Sequence, residues 1–176
     1  MKFCSACGSG EVALRIPDGD HRERYVCARC GTVHYKNPLI VCGIVPVYED
    51  RVLLCRRGIE PRFGKWTLPA GFMENGEAVE EGAQRELHEE AKATVTLGPL
   101  LTMLSVPYIS QVHVMFLGTM SEPVFATTPE STEIMLCDEA NVPWGEIAFR
   151  TVKTTLEHYF ACRRAGAYTL KCATIA

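Results

Sequence analysis

The chain has 176 residues, of which 47% are hydrophobic, so it is long enough to bury a substantial core. Its formal net charge of −3 argues against a nucleic-acid binder that acts through bulk positive charge. No apolar run approaches the roughly 20 residues of a membrane span, and no apolar signal region follows Met1, so we expect a cytoplasmic protein without membrane partners.

Two cysteine pairs stand near the start of the chain. Cys4 and Cys7 are separated by two residues, as are Cys27 and Cys30, and a glycine follows each pair. Glycine suits the tight knuckle that turns two thiolates toward one tetrahedral Zn²⁺. The total of nine cysteines is odd, which weakens a disulfide framework. The spacing predicts a zinc ribbon over residues 1–36, with one structural Zn²⁺.

Local patterns predict the remaining elements in chain order. The ribbon should contain strands at residues 12–16 and 23–26, and Asn37-Pro38 marks the boundary after it. Runs rich in β-formers then predict a hairpin that turns at Glu49-Asp50. The hairpin strands are 39–48 and 51–57, further β-like segments are 94–97, 100–106, 111–119 and 132–137, a helix covers 151–165, and 166–176 forms a C-terminal tail.

An acidic stretch lies between the hairpin and the later strands. Residues 74–90 carry seven glutamates and one arginine, and apolar residues recur at helical spacing at Val79, Ala83, Leu87 and Ala91. Like charges three or four residues apart destabilise a helix unless a cation offsets them. Because Mg²⁺ binds carboxylate oxygens together with substrate phosphates, the stretch predicts a divalent-metal site on a helix.

The spacing of this stretch resembles the Nudix box, G-x5-E-x7-R-E-U-x-E-E-x-G-U, where U is apolar. The residues that match its fixed polar and glycine positions are Gly71, Glu77, Arg85, Glu86, Glu89 and Glu90. Lys92 replaces the glycine that follows the helix, which affects the C-terminal cap and not the acids. So many matches at set spacing outweigh the alternative of a solvated acidic helix.

The resemblance implies an α/β (α+β) fold, a Nudix α/β/α sandwich over residues 37–165, that hydrolyses pyrophosphate bonds with Mg²⁺ or Mn²⁺. In the box, Glu86, Glu89 and Glu90 match the metal-ligating and base positions, and Gly71 lies in a loop that lends a backbone carbonyl to the metal. Glu77 and Arg85 match the pair that orients the acids. Eight residues apart, they are expected on one helical face, joined by a charge-assisted bond.

Outside the box, the resemblance implies a further metal-binding or base glutamate on a late strand. Glu133, which opens a strand-like run, is preferred to Glu130, which lies in a polar loop. Four residues are expected to bind substrate: Arg57 and Arg62 through the diphosphate charge, and Phe72 and Tyr108 by stacking on a ring. Surface solubility explains basic residues equally well, and an aromatic residue is more often part of the core.

The substrate is expected to be a small nucleotide. Residues 16–20 read Ile-Pro-Asp-Gly-Asp, similar to a bacterial and plant-plastid subgroup whose plant members act on FAD and ADP-ribose. Residues 105–112 lack the signature of the NADH pyrophosphatase subgroup. We therefore expect hydrolysis of FAD or ADP-ribose to AMP and a second monophosphate. NADH or dinucleoside polyphosphates, a nucleotide-sensing or RNA-associated binding module, isoprenyl diphosphate isomerisation, and a homodimer stay open.

Overall fold

The computed structural model describes residues 1–176 as two compact units, Met1–Pro38 and Leu39–Ala176. The first unit holds an antiparallel sheet of three strands: β1 (Val12–Arg15), β2 (Arg24–Cys27) and β3 (Val33–His34). The strands β1 and β2 lie within one or two residues of their predicted positions, whereas the two-residue β3 was not predicted. Very few side chains of this unit are buried: Cys4, Ser9, Val26 and Cys27.

The second unit is an eight-stranded sheet with two helices. The order of the strands is β10-β5-β4-β9-β8-β11, with β6 beside β5 and β7 beside β4. Neither helix is long and apolar enough to cross a membrane. The elements are β4 (Leu39–Tyr48), β5 (Arg51–Arg57), β6 (Trp66–Thr67), β7 (Ala70–Phe72), α1 (Val79–Ala91), β8 (Thr96–Val106), β9 (Gln111–Thr119), β10 (Ser131–Cys137), α2 (Arg150–Ala165) and β11 (Lys171–Thr174).

The alternation of residues along β4 divides the core between the two faces of the sheet. Cys42 and Ile44 pack in one buried cluster with Leu87 of α1. Val45 belongs to the opposite cluster, with Leu156 of α2. One helix therefore covers each face of the sheet, which confirms the predicted α/β/α sandwich.

Helix α1 begins later than the acidic stretch suggested. Glu74 and Glu77 precede its first residue, and the N-terminus is instead capped by a bond of 2.8 Å from the Ala78 backbone N–H to the Glu81 carboxylate. At the C-terminus, Lys92 adopts the left-handed conformation with φ of 53°. The capping turn thus forms with lysine at a position that favours glycine.

The end of the chain differs from the predicted tail. Strand β11 pairs in parallel with β8, and the Ile175 N–H donates to the Ser105 carbonyl over 2.8 Å. Ile175 packs against Leu104 and Val106. The segments predicted at 94–97 and 100–106 form the single strand β8, whose register shifts between Leu97 and Leu100.

Candidate active site

A cavity of about 740 Å³ opens beside the N-terminal ends of β4 and β9 and the acidic face of α1. Because residues three and four apart share a helix face, α1 presents a row of carboxylates to this cavity. Of the glutamates that line the cavity, we call four the acidic wall: Glu86, Glu89, Glu90 and, from the turn before β10, Glu130.

Glu90 is the most deeply buried of these acids. The residue is only 7% exposed, and its Oε2 has no hydrogen-bond partner. Burial, reinforced by the negative charge of Glu86, raises the pKa of Glu90 to about 8. A buried carboxylate without a partner is costly unless a cation accompanies it. The oxygen donors present here therefore fit a hard divalent ion such as Mg²⁺.

Gly71 allows the neighbouring carboxyl group of Glu86 to approach the backbone of β7. A Cβ added at Gly71 would lie 2.4 Å from both carboxyl oxygens of Glu86, so only glycine fits here without a shift. Burial is the largest cause that raises the pKa of Glu86, and the charges of Glu89 and Glu130 act in the same direction. Gly71 thus packs directly against the Glu86 carboxyl group, while its role as a carbonyl ligand of the metal stays a prediction.

Arg85 links the acids into one network. Its guanidinium donates to both carboxyl oxygens of Glu77, at 3.0 and 2.9 Å, and to Glu86 at 2.7 Å. It also donates to Glu89 at 3.0 Å and to the Phe72 carbonyl at 3.1 Å. This network fixes the rotamers of two of the cavity's carboxylates and ties α1 to β7.

The predicted bond between Glu77 and Arg85 is present, but its geometry differs from the prediction. Glu77 lies in the loop before α1, not on the same helical face, and it also accepts the Glu74 N–H over 2.6 Å. The Arg85 bond, followed by the Glu74 bond, lowers the pKa of Glu77 to about 2. Gly82, which the sequence analysis did not single out, leaves room for this carboxylate, since a Cβ there would lie 2.6 Å from Glu77 Oε1.

The structure reverses the predicted preference for Glu133 over Glu130. Glu133 stands opposite Arg56 in the β10–β5 pairing and bonds to it at 2.9 Å, with a side chain that is 56% exposed. It does not line the cavity, whereas Glu130 does. The pairing register shifts between Ser131 and Glu133, and no sequence pattern predicted this irregularity.

The four residues expected to bind substrate, Arg57, Arg62, Phe72 and Tyr108, all line the cavity. Arg57 donates to the Pro61 carbonyl at 2.8 Å, and its positive charge acts to lower the pKa of Glu90. Phe72 and Tyr108 are largely exposed, as rings that stack on a ligand require. Sequence reasoning missed other lining residues, among them His113, Phe149 and Thr151.

In the first unit, the four predicted zinc ligands converge. Their sulfur atoms all lie within 4.8 Å of one another, with Cys4 to Cys30 at 3.6 Å and Cys7 to Cys27 at 3.7 Å. Thiolates around a tetrahedral Zn²⁺ lie about 3.8 Å apart, whereas a disulfide joins sulfurs at about 2.0 Å. The four thiols therefore fit one Zn²⁺ and not two disulfides. His21 and His34 lie outside this cluster.

The profile of the NUDIX domain matches residues 38–155, and that of the Nudix N-terminal zinc ribbon matches residues 2–36. The chain belongs to the Nudix family. The crystal structure of a NUDIX hydrolase from Nitrosomonas europaea is similar to this one, with a TM-score of 0.95. The two sequences are 46% identical, and the match covers 99% of each chain.

Two other similarities bear on Nudix substrates. NAD-capped RNA hydrolase NudC of Pseudomonas aeruginosa is 28% identical over 94% of the chain. The chain spans 58% of that relative's length and 32% of a Vibrio parahaemolyticus relative of the same name. The NUDIX domain of Shewanella oneidensis NrtR, complexed with ADP ribose, is 22% identical, with a TM-score of 0.64 over 74% of this chain and 90% of that one, which shows the fold alone.

Proposed function

We propose that this protein is a pyrophosphohydrolase that uses Mg²⁺ or Mn²⁺ to split a nucleoside diphosphate linked to a second moiety, releasing AMP and a monophosphate. The observation that carries this proposal is the buried, unpartnered Oε2 of Glu90 in the wall of a ligand-sized cavity. A pure binding module has no need of this cluster of acids, which favours an enzyme over a nucleotide sensor.

Glu86, Glu89 and Glu90 would hold the metal. A divalent ion bound there would supply positive charge at the phosphorus and lower the pKa of a bound water. Arg85 holds Glu86 and Glu89 in place, and Glu77 in turn holds Arg85. Glu130 lies outside this network and lines the cavity. We therefore assign it the role of general base, which accepts a proton from the attacking water.

Arg57 and Arg62 also line the cavity. They would bind diphosphate oxygens, since guanidinium groups form strong hydrogen bonds to such anions. Phe72 and Tyr108 would stack on an attached ring. FAD and ADP-ribose are the substrates we favour, on the subgroup resemblance and on the ADP ribose bound by a protein of the same fold.

NAD-derived substrates are the second candidate. The relatives named NAD-capped RNA hydrolase favour them, although the chain spans only part of those proteins. A panel of FAD, ADP-ribose, NADH, a dinucleoside tetraphosphate and NAD-capped RNA, each with Mg²⁺ and with Mn²⁺, would rank the candidates by kcat/KM.

The panel also has matched controls. Glu130→Gln should lower kcat, because it removes a carboxylate that lines the cavity, whereas Glu133→Gln should leave kcat within about two-fold, because Glu133 pairs with Arg56 outside it. Failure of the wild type to hydrolyse any diphosphate with either metal would refute the proposal. Equal losses from both glutamate variants would refute the role given to Glu130.

A further inference from the structure

The large cavity continues into a recess of about 50 Å³ that contains no carboxylate. It lies where β4, β9 and α2 all begin, and the first residues of β4 and β9 are paired in parallel. Its volume accommodates a few water molecules or the edge of a ring. The lining that the recess shares with the large cavity consists of Val41, Arg57, Ala70, His113, Phe149 and Thr151.

Thr151 is an unusual residue of this recess. It is 6% exposed, and its Oγ1 is buried without a hydrogen-bond partner. Thr155, one turn later on α2, is also buried, but its hydroxyl lies 3.0 Å from that of Thr102. A buried hydroxyl without a partner costs free energy, so the chain retains at Thr151 a group that a ligand can satisfy.

The start of α2 adds further donors at the same place. Phe149, the residue before the helix, provides no side-chain cap, and the first bond of the helical ladder runs from Lys153 N–H to the Phe149 carbonyl. The N–H groups of Arg150, Thr151 and Val152 therefore precede the first intrahelical bond. Together with the Thr151 hydroxyl they favour an acceptor atom on the ligand.

His113 supplies the complementary acceptor. Its Nε2 lies 2.9 Å from the Gln111 side-chain oxygen. Because an amide oxygen only accepts, Nε2 must carry the hydrogen, which leaves Nδ1 as an acceptor in the neutral ring. Burial lowers the pKa of His113, which favours the neutral imidazole.

The wall between the recess and the acids suits a planar group. The Arg57 guanidinium lies 5.1 Å from the centre of the Phe149 ring, and its charge also acts on Glu90. Arg57 thus stands between the acidic wall and Phe149, and a ring attached to a bound diphosphate would extend toward the recess.

We propose that this recess binds the polar edge of a planar nitrogen heterocycle, with the Thr151 hydroxyl as donor and His113 Nδ1 as acceptor. Adenine, the nicotinamide carboxamide and the flavin imide each present an N–H donor close to an acceptor, and this chemistry is what the pair recognises. The inference rests on one part of the proposed function, the binding of a nucleoside diphosphate in the cavity, and does not require its hydrolysis.

Three substitutions on α2 test the donor. Thr151→Val removes the hydroxyl at nearly constant volume, Thr151→Ser keeps it, and Thr155→Val makes the same change one turn away, outside the cavity. Calorimetric Kd values for ADP-ribose, FAD and NADH without added divalent metal, and KM and kcat with Mg²⁺, are compared with the wild type.

Thr151→Val should weaken binding and raise KM about 3- to 10-fold, the worth of one hydrogen bond, with kcat nearly unchanged and with Tm equal or higher. Thr151→Ser should restore binding. Thr155→Val should lower Tm, because it strands the Thr102 hydroxyl, without altering Kd. A weakened Kd for all three ligands would place adenine in the recess, whereas an effect on FAD or NADH alone would place the flavin or the nicotinamide there.

Several outcomes would overturn the subsite. They are unchanged Kd values for Thr151→Val, a loss of the same size for Thr151→Ser, or no binding of any of the three nucleotides by the wild type. The absence of turnover alone would refute the hydrolase instead, because the comparison of Kd values does not depend on it.

Discussion

The chain has two places for a metal, and they relate to the fold in opposite ways. In the ribbon, four thiols converge in a unit with only four buried side chains, so we expect a bound metal to supply most of its stability. In the second unit, one buried cluster packs α1 against one face of the sheet and another packs α2 against the opposite face, so we expect this fold to be stable before any metal binds the acids. We therefore expect the ribbon to depend on its metal for folding, and the second unit to fold without one.

The largest effect is expected from breaking the ribbon site. Cys27→Ser should abolish zinc binding and unfold residues 1–38, because structural zinc contributes on the order of 10 kcal/mol in such small units. Metal analysis should show about one zinc per wild-type chain and little in the variant, and amide exchange should rise in the ribbon alone. Cys172→Ser, at an exposed cysteine outside the cluster, is the control. Full zinc content in the Cys27 variant would contradict the assignment.

Loss of one acid should have a different signature. Glu90→Gln keeps the volume and removes the ligand charge, so kcat should fall about 10²-fold or more while the fold persists. Turnover by the variant at saturating Mg²⁺, compared with that of Glu133→Gln, provides the measurement. Activity like that of the wild type would remove Glu90 from the metal site.

The stability of the second unit should also depend on pH through Glu90. Its folded pKa of about 8 exceeds the ordinary value of 4.5, so between these values the folded state keeps a proton that the unfolded state has lost. The free energy of unfolding without added Mg²⁺ should therefore fall as pH rises from 5 to about 8.

Urea titrations followed by tryptophan fluorescence isolate this unit, because Trp66 and Trp144 both belong to it. Glu90→Gln should reduce the dependence on pH without abolishing it, because the raised pKa of Glu86 acts in the same direction. Added Mg²⁺ should reduce the dependence in the wild type. Glu77 does not interfere, because its lowered pKa places its contribution below pH 5, where stability is lost as pH falls toward about 2. An identical slope in the Gln variant would show that another group is responsible.

The smallest effect concerns the end of α1. Lys92→Gly should raise the free energy of unfolding by about 0.5–1 kcal/mol, because the left-handed conformation is strained in lysine and not in glycine. Lys92→Ala keeps the strain and should give no such gain. The same urea titrations compare the two variants, and equal stability of both would show that the strain is negligible.

Sequence reasoning reached the parts of the molecule that local spacing determines. The strands β4, β5 and β9 lie where alternation and turn residues put them, and the box supplied three acids of the cavity wall. It misplaced Glu77 because apolar periodicity does not locate the first turn of a helix. Glu130, His113 and Thr151 depend on register and on the meeting of elements that are distant in sequence, which no local pattern encodes.

The two residues that follow β11 lie beside the cavity. Ile175 forms part of its wall, and the carbonyl of the next residue, Ala176, accepts a bond from Arg150, which also lines it. A bulky group attached at Ala176 would therefore lie at the rim of the ligand site. A fluorophore attached there would report directly on occupancy of the cavity.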